Sequence, residues 1–368
     1  MRHGVVCVRN SIQCYKMISS ECFTGAWIDS VSRQLKYNDK NLIEKVIRAL
    51  SLLEMLVDAG CPMVFKGGTS LMLILKDVNR LSIDIDVICP PGTDIEQYLQ
   101  RFQEHGFTNK VLVERKSRGN DVPKSHSKLF YQIAYKDDNN ASSYILLDVL
   151  YEDVHYHQTE QVAIQSPFIR LDGAPHQVTV PSVADILGDK LTAFAPNTTG
   201  IPYFKNDKDC SLEICKQLFD IGRLFERVGD LAIISASFRA IAVVELSYRG
   251  LPSNLQLVYE DIRKTALCIA TRGKDGDGDF NLLQKGINRL HSFMYKRPYY
   301  IENAIVDAAR AAYLATLIET NATTIEKFSN PLEVVDMQVT DKLTNRLNKL
   351  KTTLPEAFFY WVKTSELL

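Results

Sequence analysis

Residues 66–86 read KGGTSLMLILKDVNRLSIDID and carry the residue types that phosphate chemistry needs. Gly67 and Gly68 follow a short apolar strand expected over 63–65, and glycines there let the backbone come close to a ligand. An apolar helix is expected next, over 71–75. The first N–H groups of a helix lack a helical partner and attract phosphate. Thr69 and Ser70 add hydroxyl donors at that point. A Gly-rich turn by itself is a weak signal. Asp84-Ile85-Asp86 strengthens it, because residues i and i+2 of a strand share a face. The two carboxylates then stand side by side while Ile85 points to the core. Adjacent carboxylates repel unless a cation lies between them, and Mg²⁺ takes such oxygens while leaving positions for substrate phosphates. This is a layout for phosphoryl or nucleotidyl transfer.

A third carboxylate is expected from a neighbouring strand. Residues 144–150 read YILLDVL, and an acid in so apolar a run is costly to bury unless paired or metal-bound. Asp148 would complete a metal set with Asp84 and Asp86 and help activate an attacking hydroxyl. Taken alone, Asp148 is equally an acid on a strand edge, and Asp84 with Asp86 a solvated strand face. Arg80 and Ser82 read first as residues that fix the turn into that strand.

Several elements must hold these residues in place. Apolar spacing predicts helices over 26–35 and from Asp39 to a stop at Gly60, and a strand over 83–88 closed by Pro90-Pro91-Gly92. An amphipathic helix is expected over 94–105. Strands follow over 110–114, 128–135 and 144–150, the last two joined by a polar connection at 136–140, then shorter ones over 162–169 and 177–180. After Pro181, Ser182 reads as an N-cap. Helices are then expected over 183–194, 212–228, 232–246, 281–293, 301–318, 334–350 and 355–364. Strands first and helices later predict an α+β chain with a boundary near residue 181.

The run Gly-Gly-Thr-Ser-Leu followed by Arg80-Leu81-Ser82-Ile83-Asp84-Ile85-Asp86 resembles the nucleotidyltransferase superfamily that includes DNA polymerase beta. KGGTSL with RLSIDID is more closely similar to the AbiEii/AbiGii toxin family, the toxin halves of type IV toxin–antitoxin and abortive-infection systems. The order of later features agrees. Asp189-Lys190-Leu191-Thr192-Ala193 resembles the family's lysine-bearing helix, and Lys216-Gln217-Leu218-Phe219-Asp220-Ile221 its basic-acidic-x-x-Asp segment. Gln217 departs from that pattern, standing where the family often has an acid.

The resemblance implies a nucleotidyltransferase-like mixed sheet with flanking helices over 1–181 and a helical bundle over 182–368. It implies that Gly67, Gly68, Thr69 and Ser70 hold the phosphates of an NTP and that Asp84 and Asp86 bind Mg²⁺. Lys66 and Lys190 would contact phosphates or developing negative charge, and Asp220 would orient Lys190 or touch the nucleotide. Relatives of this kind add nucleotides to the 3′ end of tRNA, so an RNA acceptor and a cognate antitoxin are implied. A small-molecule acceptor such as an aminoglycoside, or a nucleotide-binding module without turnover, are the competing readings.

Composition bounds these expectations. At 368 residues the chain exceeds one ordinary domain. Its 46% hydrophobic and 24% charged content excludes a disordered scaffold. A net charge of -1 excludes a globally basic coat but not a local basic face. No apolar run approaches the roughly 20 residues that span a bilayer, and the apolar patch at 4–8 is too short for a signal-peptide core. With no C-x-x-C among the eight cysteines, reduced thiols in a cytoplasmic protein without structural zinc are expected. Residues 275–279, DGDGD, lack the later glycine and glutamate of a calcium loop and read as an exposed loop. His155 and His157 share a face without a third metal ligand in view. Two basic stretches stay open between an RNA-tracking and a solvated reading. One comprises Lys110, Arg115, Lys116, Arg118, Lys124 and Lys128. The other is Tyr295-Lys296-Arg297-Pro298-Tyr299-Tyr300, whose rings and cations would suit unpaired bases.

Overall fold

The computed structural model describes residues 17–75, 79–113, 122–136 and 141–368. Residues 4–8, Cys7, Cys14, the basic run Arg115, Lys116 and Arg118, and positions 137–140 lie outside the described residues.

Two helices open the fold, α1 (Gly25–Leu35) and α2 (Lys40–Asp58), with the side chains of Thr24 and Asp39 accepting from the N–H groups of Trp27 and Leu42. The sheet comprises β1 (Val64–Lys66), β2 (Ile85–Cys89), β3 (Asn109–Val113), β4 (Lys124–Gln132) and β5 (Ser142–Tyr151), in the order β1-β2-β5-β4-β3. β2 and β5 run parallel and the other neighbours antiparallel, so the sheet is mixed. α3 (Gly67–Ile74) connects β1 to β2. Ile85, Val87, Leu129, Leu147 and Val149 share one core with Leu50 and Leu53 of α2, which leaves the alternate polar residues on the other face.

A second sheet pairs β6 (Thr159–Ala163) with β7 (Gln177–Pro181). The chain then passes through α4 (Val183–Ala193), a small hairpin of β8 (Phe204–Lys205) and β9 (Lys208–Asp209), and α5 (Ser211–Phe225). Next come α6 (Leu231–Tyr248), α7 (Leu255–Ala270), α8 (Phe280–Leu290), α9 (Ile301–Glu319), α10 (Leu350–Thr353) and α11 (Pro355–Leu367). These helices enclose a second core that includes Phe238, Tyr313, Phe358 and Trp361. The cores interlock: Leu71 and Leu75 pack into the helical one, while Phe293 and Tyr295 pack against the sheet's. The architecture is α+β, a mixed sheet with flanking helices followed by a helical region.

The structure corrects several expectations. Residues 94–105 form only a 3₁₀ turn at Ile95–Leu99, followed by further turns. Ser51 and Arg48 of α2 take the carbonyls of His105 and Gly106, and these tertiary bonds hold the tighter path. Residues 334–350 are not one helix either; short 3₁₀ turns at Pro331–Val334 and Asn345–Lys349 flank an irregular stretch. Within that stretch Asn348 and Ser365 side chains take the N–H groups of Val339 and Thr340. α7 was not expected, although Val258, Ile262, Ala266 and Ile269 give it a buried stripe behind an Asn254 cap. β4 begins at Lys124, so Lys124 and Lys128 are strand residues. Among the described helices α6 reaches 18 residues at mean hydropathy 1.5, enough by length and composition to cross a membrane. Its Leu231, Ile234, Phe238, Ala242 and Leu246 are nevertheless buried in the helical core.

Candidate active site

The polar face of the sheet carries one row of side chains in register across four strands. Lys66 lies opposite Asp86, Asp86 opposite Asp148, and Asp148 opposite His126. Facing residues of paired strands point to the same side. These four border a cleft of about 220 Å³ with Lys124, Lys205 and Glu245. Asp84 stands just ahead of β2, with Ile85 fully buried between it and Asp86.

Burial, then the charges of Asp148 and Asp84, push the Asp86 carboxyl up to about 7 against the pull of Lys66 and Lys190. Asp84 is raised as well, first by burial, with Lys216 opposing and Asp148 adding. Carboxylates that raise one another's proton affinity are the donor chemistry a divalent cation relieves, so the set fits such an ion. It is not a closed cage. Among the described residues no three ligating side chains converge on one point. Nδ1 of His126 lies 2.5 Å from Oδ1 of Asp148, so the expected third ligand is held by a ring.

Gly67 has φ +81°, and a Cβ there would stand 2.2 Å from Oδ2 of Asp86. At Gly68 a Cβ would stand 2.6 Å from Nη2 of Arg80 and 2.7 Å from Oγ of Ser82. The two glycines thus make room for the side chains of the segment that follows. Thr69 and Ser70 differ from expectation. Both are fully buried, and their hydroxyls donate to the carbonyls of Asp84 and Gly67 at 2.6 and 2.9 Å. What the turn offers an anion is the opening N–H groups of α3, which no helical carbonyl reaches. Gly67→Ala is expected to displace the Asp86 carboxylate and lower transfer by about 100-fold or more. Gly60→Ala, at φ +72° but in open space, is its control and should cost only about 1 kcal/mol of stability with turnover kept. Steady-state rates and melting curves of the two variants check this.

Behind Gly68 lies a buried ion network. Nε and Nη2 of Arg80 donate to both oxygens of Asp220 at 2.8 to 3.0 Å. Nζ of Lys190 lies 3.1 Å from Asp220 and donates to Oε1 of Gln217 at 2.9 Å. Gln217 and Asp220 share a face of α5, and α4 brings Lys190 to them. The amide at 217 keeps the lysine's hydrogen bond without supplying a charge.

Asp189 points the other way, 3.4 Å from Nζ of Lys66, and accepts from the Tyr156 hydroxyl at 2.7 Å. Burial works against the charge of Lys66, but Asp189, then Tyr156, Glu245 and Asp86, hold its pKa well above the ordinary lysine value. Lys216 sits over the Phe293 ring at 4.3 Å; burial, then Arg80, bring its pKa down to about 8. His126, Tyr156, Asp189 and Lys216 escaped the sequence reading as members of this site. Asp189, an acid beside Lys190 in an apolar helix, could have been flagged. His126 gave no local signal, because only strand register sets it opposite Asp148.

Residues 50–291 match the family described as nucleotidyl transferase AbiEii toxin, type IV TA system. No curated protein matches the chain. Among solved structures, MenT4, a nucleotidyltransferase toxin from Mycobacterium tuberculosis, is 14% identical with a TM-score of 0.51, over 78% of this chain and 89% of its own. JHP933 from Helicobacter pylori is 16% identical with a TM-score of 0.39, over 76% of this chain and 93% of its own. The likeness to MenT4 is one of fold, and the family match covers well over half of the sequence. A glycine turn beside a row of acids and a lysine-bearing helix is thus joined to a match over most of its length, and the chain belongs to the AbiEii family of nucleotidyl transferase toxins.

Proposed function

We propose that the chain transfers a nucleoside monophosphate from an NTP to the 3′ hydroxyl of an RNA, with tRNA as the expected acceptor and Mg²⁺ as the ion. The observation that carries this reading is the row Lys66, Asp86, Asp148 and His126 beside the opening turn of α3. Asp84 and Asp86 would hold the ion, joined by Asp148. Bound there, Mg²⁺ would neutralise charge on the triphosphate and acidify the attacking hydroxyl.

This chain's residues do the rest. The opening N–H groups of α3, at Gly67 and Gly68, would cradle the phosphates. Asp148, steadied by His126, would take the proton of the acceptor hydroxyl as its oxygen bonds to the α-phosphorus. The bond from that phosphorus to the β-phosphate oxygen breaks, and pyrophosphate leaves. Lys66 and Lys190, already fixed by carboxylates, would face the charge that develops there. Asp220 acts through Lys190 as a positioning residue. Family membership also points to a cognate antitoxin. The cytoplasm, which supplies NTP and RNA, is the expected setting.

The test incubates the protein with each α-³²P-labelled NTP, a divalent cation, and either total tRNA, an oligoribonucleotide or amino sugars. Label is expected at RNA 3′ ends, and only with the cation. Label confined to the amino sugars, or transfer undiminished in a chelator, would overturn the reading.

A further inference from the structure

The 293–297 segment that follows α8 lies against the stretch that leads into β2. The Leu81 N–H donates to the Phe293 carbonyl at 2.9 Å, and the Tyr295 N–H to the Asn79 carbonyl at 3.1 Å. Oδ1 of Asn79 accepts the N–H groups of Lys296 and Arg297 at 2.9 and 2.7 Å, and Nδ2 donates to the Arg297 carbonyl at 2.8 Å. One asparagine therefore fixes two basic residues next to Arg80. Arg223 and Arg227, at and just beyond the end of α5, join them around a cavity of about 240 Å³.

Four cations there meet one carboxylate, Glu226. That carboxylate is already engaged by Arg310 and Arg223, and Arg223 also by Asp307. Arg227 and Arg297 are exposed, and among the described residues neither has a carboxylate partner. Uncompensated guanidinium groups in a concave wall concentrate positive potential. A second, narrower slot shares Asn79 and Arg223 with this cavity and runs past Arg80 and Asp220 to Gly68. The basic pocket thus lies on a continuous surface path to the glycine turn.

The rings nearby are spent. Tyr295 packs edge-on against Tyr37 and Phe168, and Tyr299 is 4% exposed with its hydroxyl on Asp307. The pocket offers planar, forked cations without a stacking platform, which is chemistry for phosphodiester oxygens rather than for bases.

We propose that this pocket binds a backbone phosphate of the acceptor strand, at a distance from the hydroxyl that reacts. RNA as the occupant rests on the transferase reading above. Such a contact positions the strand without reading its sequence. A free triphosphate presents the same oxygens, and the test separates the two.

Full-length Arg227→Gln/Arg297→Gln is compared with wild type in three measurements. These are anisotropy of a fluorescein-labelled single-stranded RNA across a salt series, calorimetric NTP binding, and thermal melting. RNA affinity is expected to fall about tenfold or more. Its log–log salt slope should become shallower by about 1.4, at about 0.7 per lost phosphate contact. NTP affinity and melting should not change. Arg227→Lys/Arg297→Lys, which keeps both charges, should restore the slope. Unchanged RNA affinity in the glutamine variant would overturn the inference. So would loss of NTP affinity in place of RNA affinity, which would assign the pocket to a triphosphate. Because every readout is binding or stability, a protein that binds RNA yet labels none would sink the transferase reading and leave this inference standing.

Discussion

Replacing Asp86 by Asn is expected to cost about three orders of magnitude or more in nucleotidyl transfer, and to give a protein that melts later than its parent above pH 7. Both effects come from the row of charges on the polar face of the sheet. In the native chain burial, Asp148 and Asp84 raise the Asp86 carboxyl to about 7. The folded state therefore binds this proton more tightly than the unfolded chain does. Charging the group penalises the fold. The penalty is absent below the unfolded carboxyl's pKa of about 4, grows as pH rises, and is complete above about 7. Asn keeps the shape and carries no charge, so the variant should gain on the order of 2 kcal/mol at pH 8 and little at pH 4. Melting curves in chelator at the two pH values measure the difference. An equal shift at both would show that the site stores no charge repulsion.

Asp220→Ala should have the largest effect on stability. It leaves Arg80 and Lys190, 5% and 6% exposed, facing each other without the carboxylate that separates their charges. Stranding buried charge in this way costs about 3–5 kcal/mol. Urea unfolding reads it directly, and a midpoint equal to that of wild type would refute the account of the network. Asp220→Asn, which preserves shape and some hydrogen bonds, should fall between the two. Because Lys190 loses its anchor in either variant, turnover should drop along with stability.

Much of this site was legible because its parts are local. The glycine turn, the D-x-D pair and Asp148 each announce themselves through residue type against an apolar background, and α4 and α5 carry Lys190 and Asp220 where helical spacing placed them. The pairings were not legible, because they join distant residues. Arg80 meets Asp220 across 140 positions, and Asn79 meets Arg297 across 218. Register alone sets His126 against Asp148. Thr69 and Ser70 illustrate a different limit. Their type and position fit phosphate, yet the backbone of the following loop and of their own helix took their hydroxyls first. The stretches 94–105 and 334–350 had helical periodicity that side chains from α2 and α11 overrode.

Leu71 and Leu75 cross from the sheet side to finish the helical core, and Phe293 and Tyr295 make the opposite crossing. Neither body of the protein can lose its interior and leave the other whole. Changes deep in the bundle, far from any acid or glycine of the turn, therefore carry a penalty that surfaces as lost catalysis. Selection on the enzyme must tolerate mutational load in both halves as a single quantity.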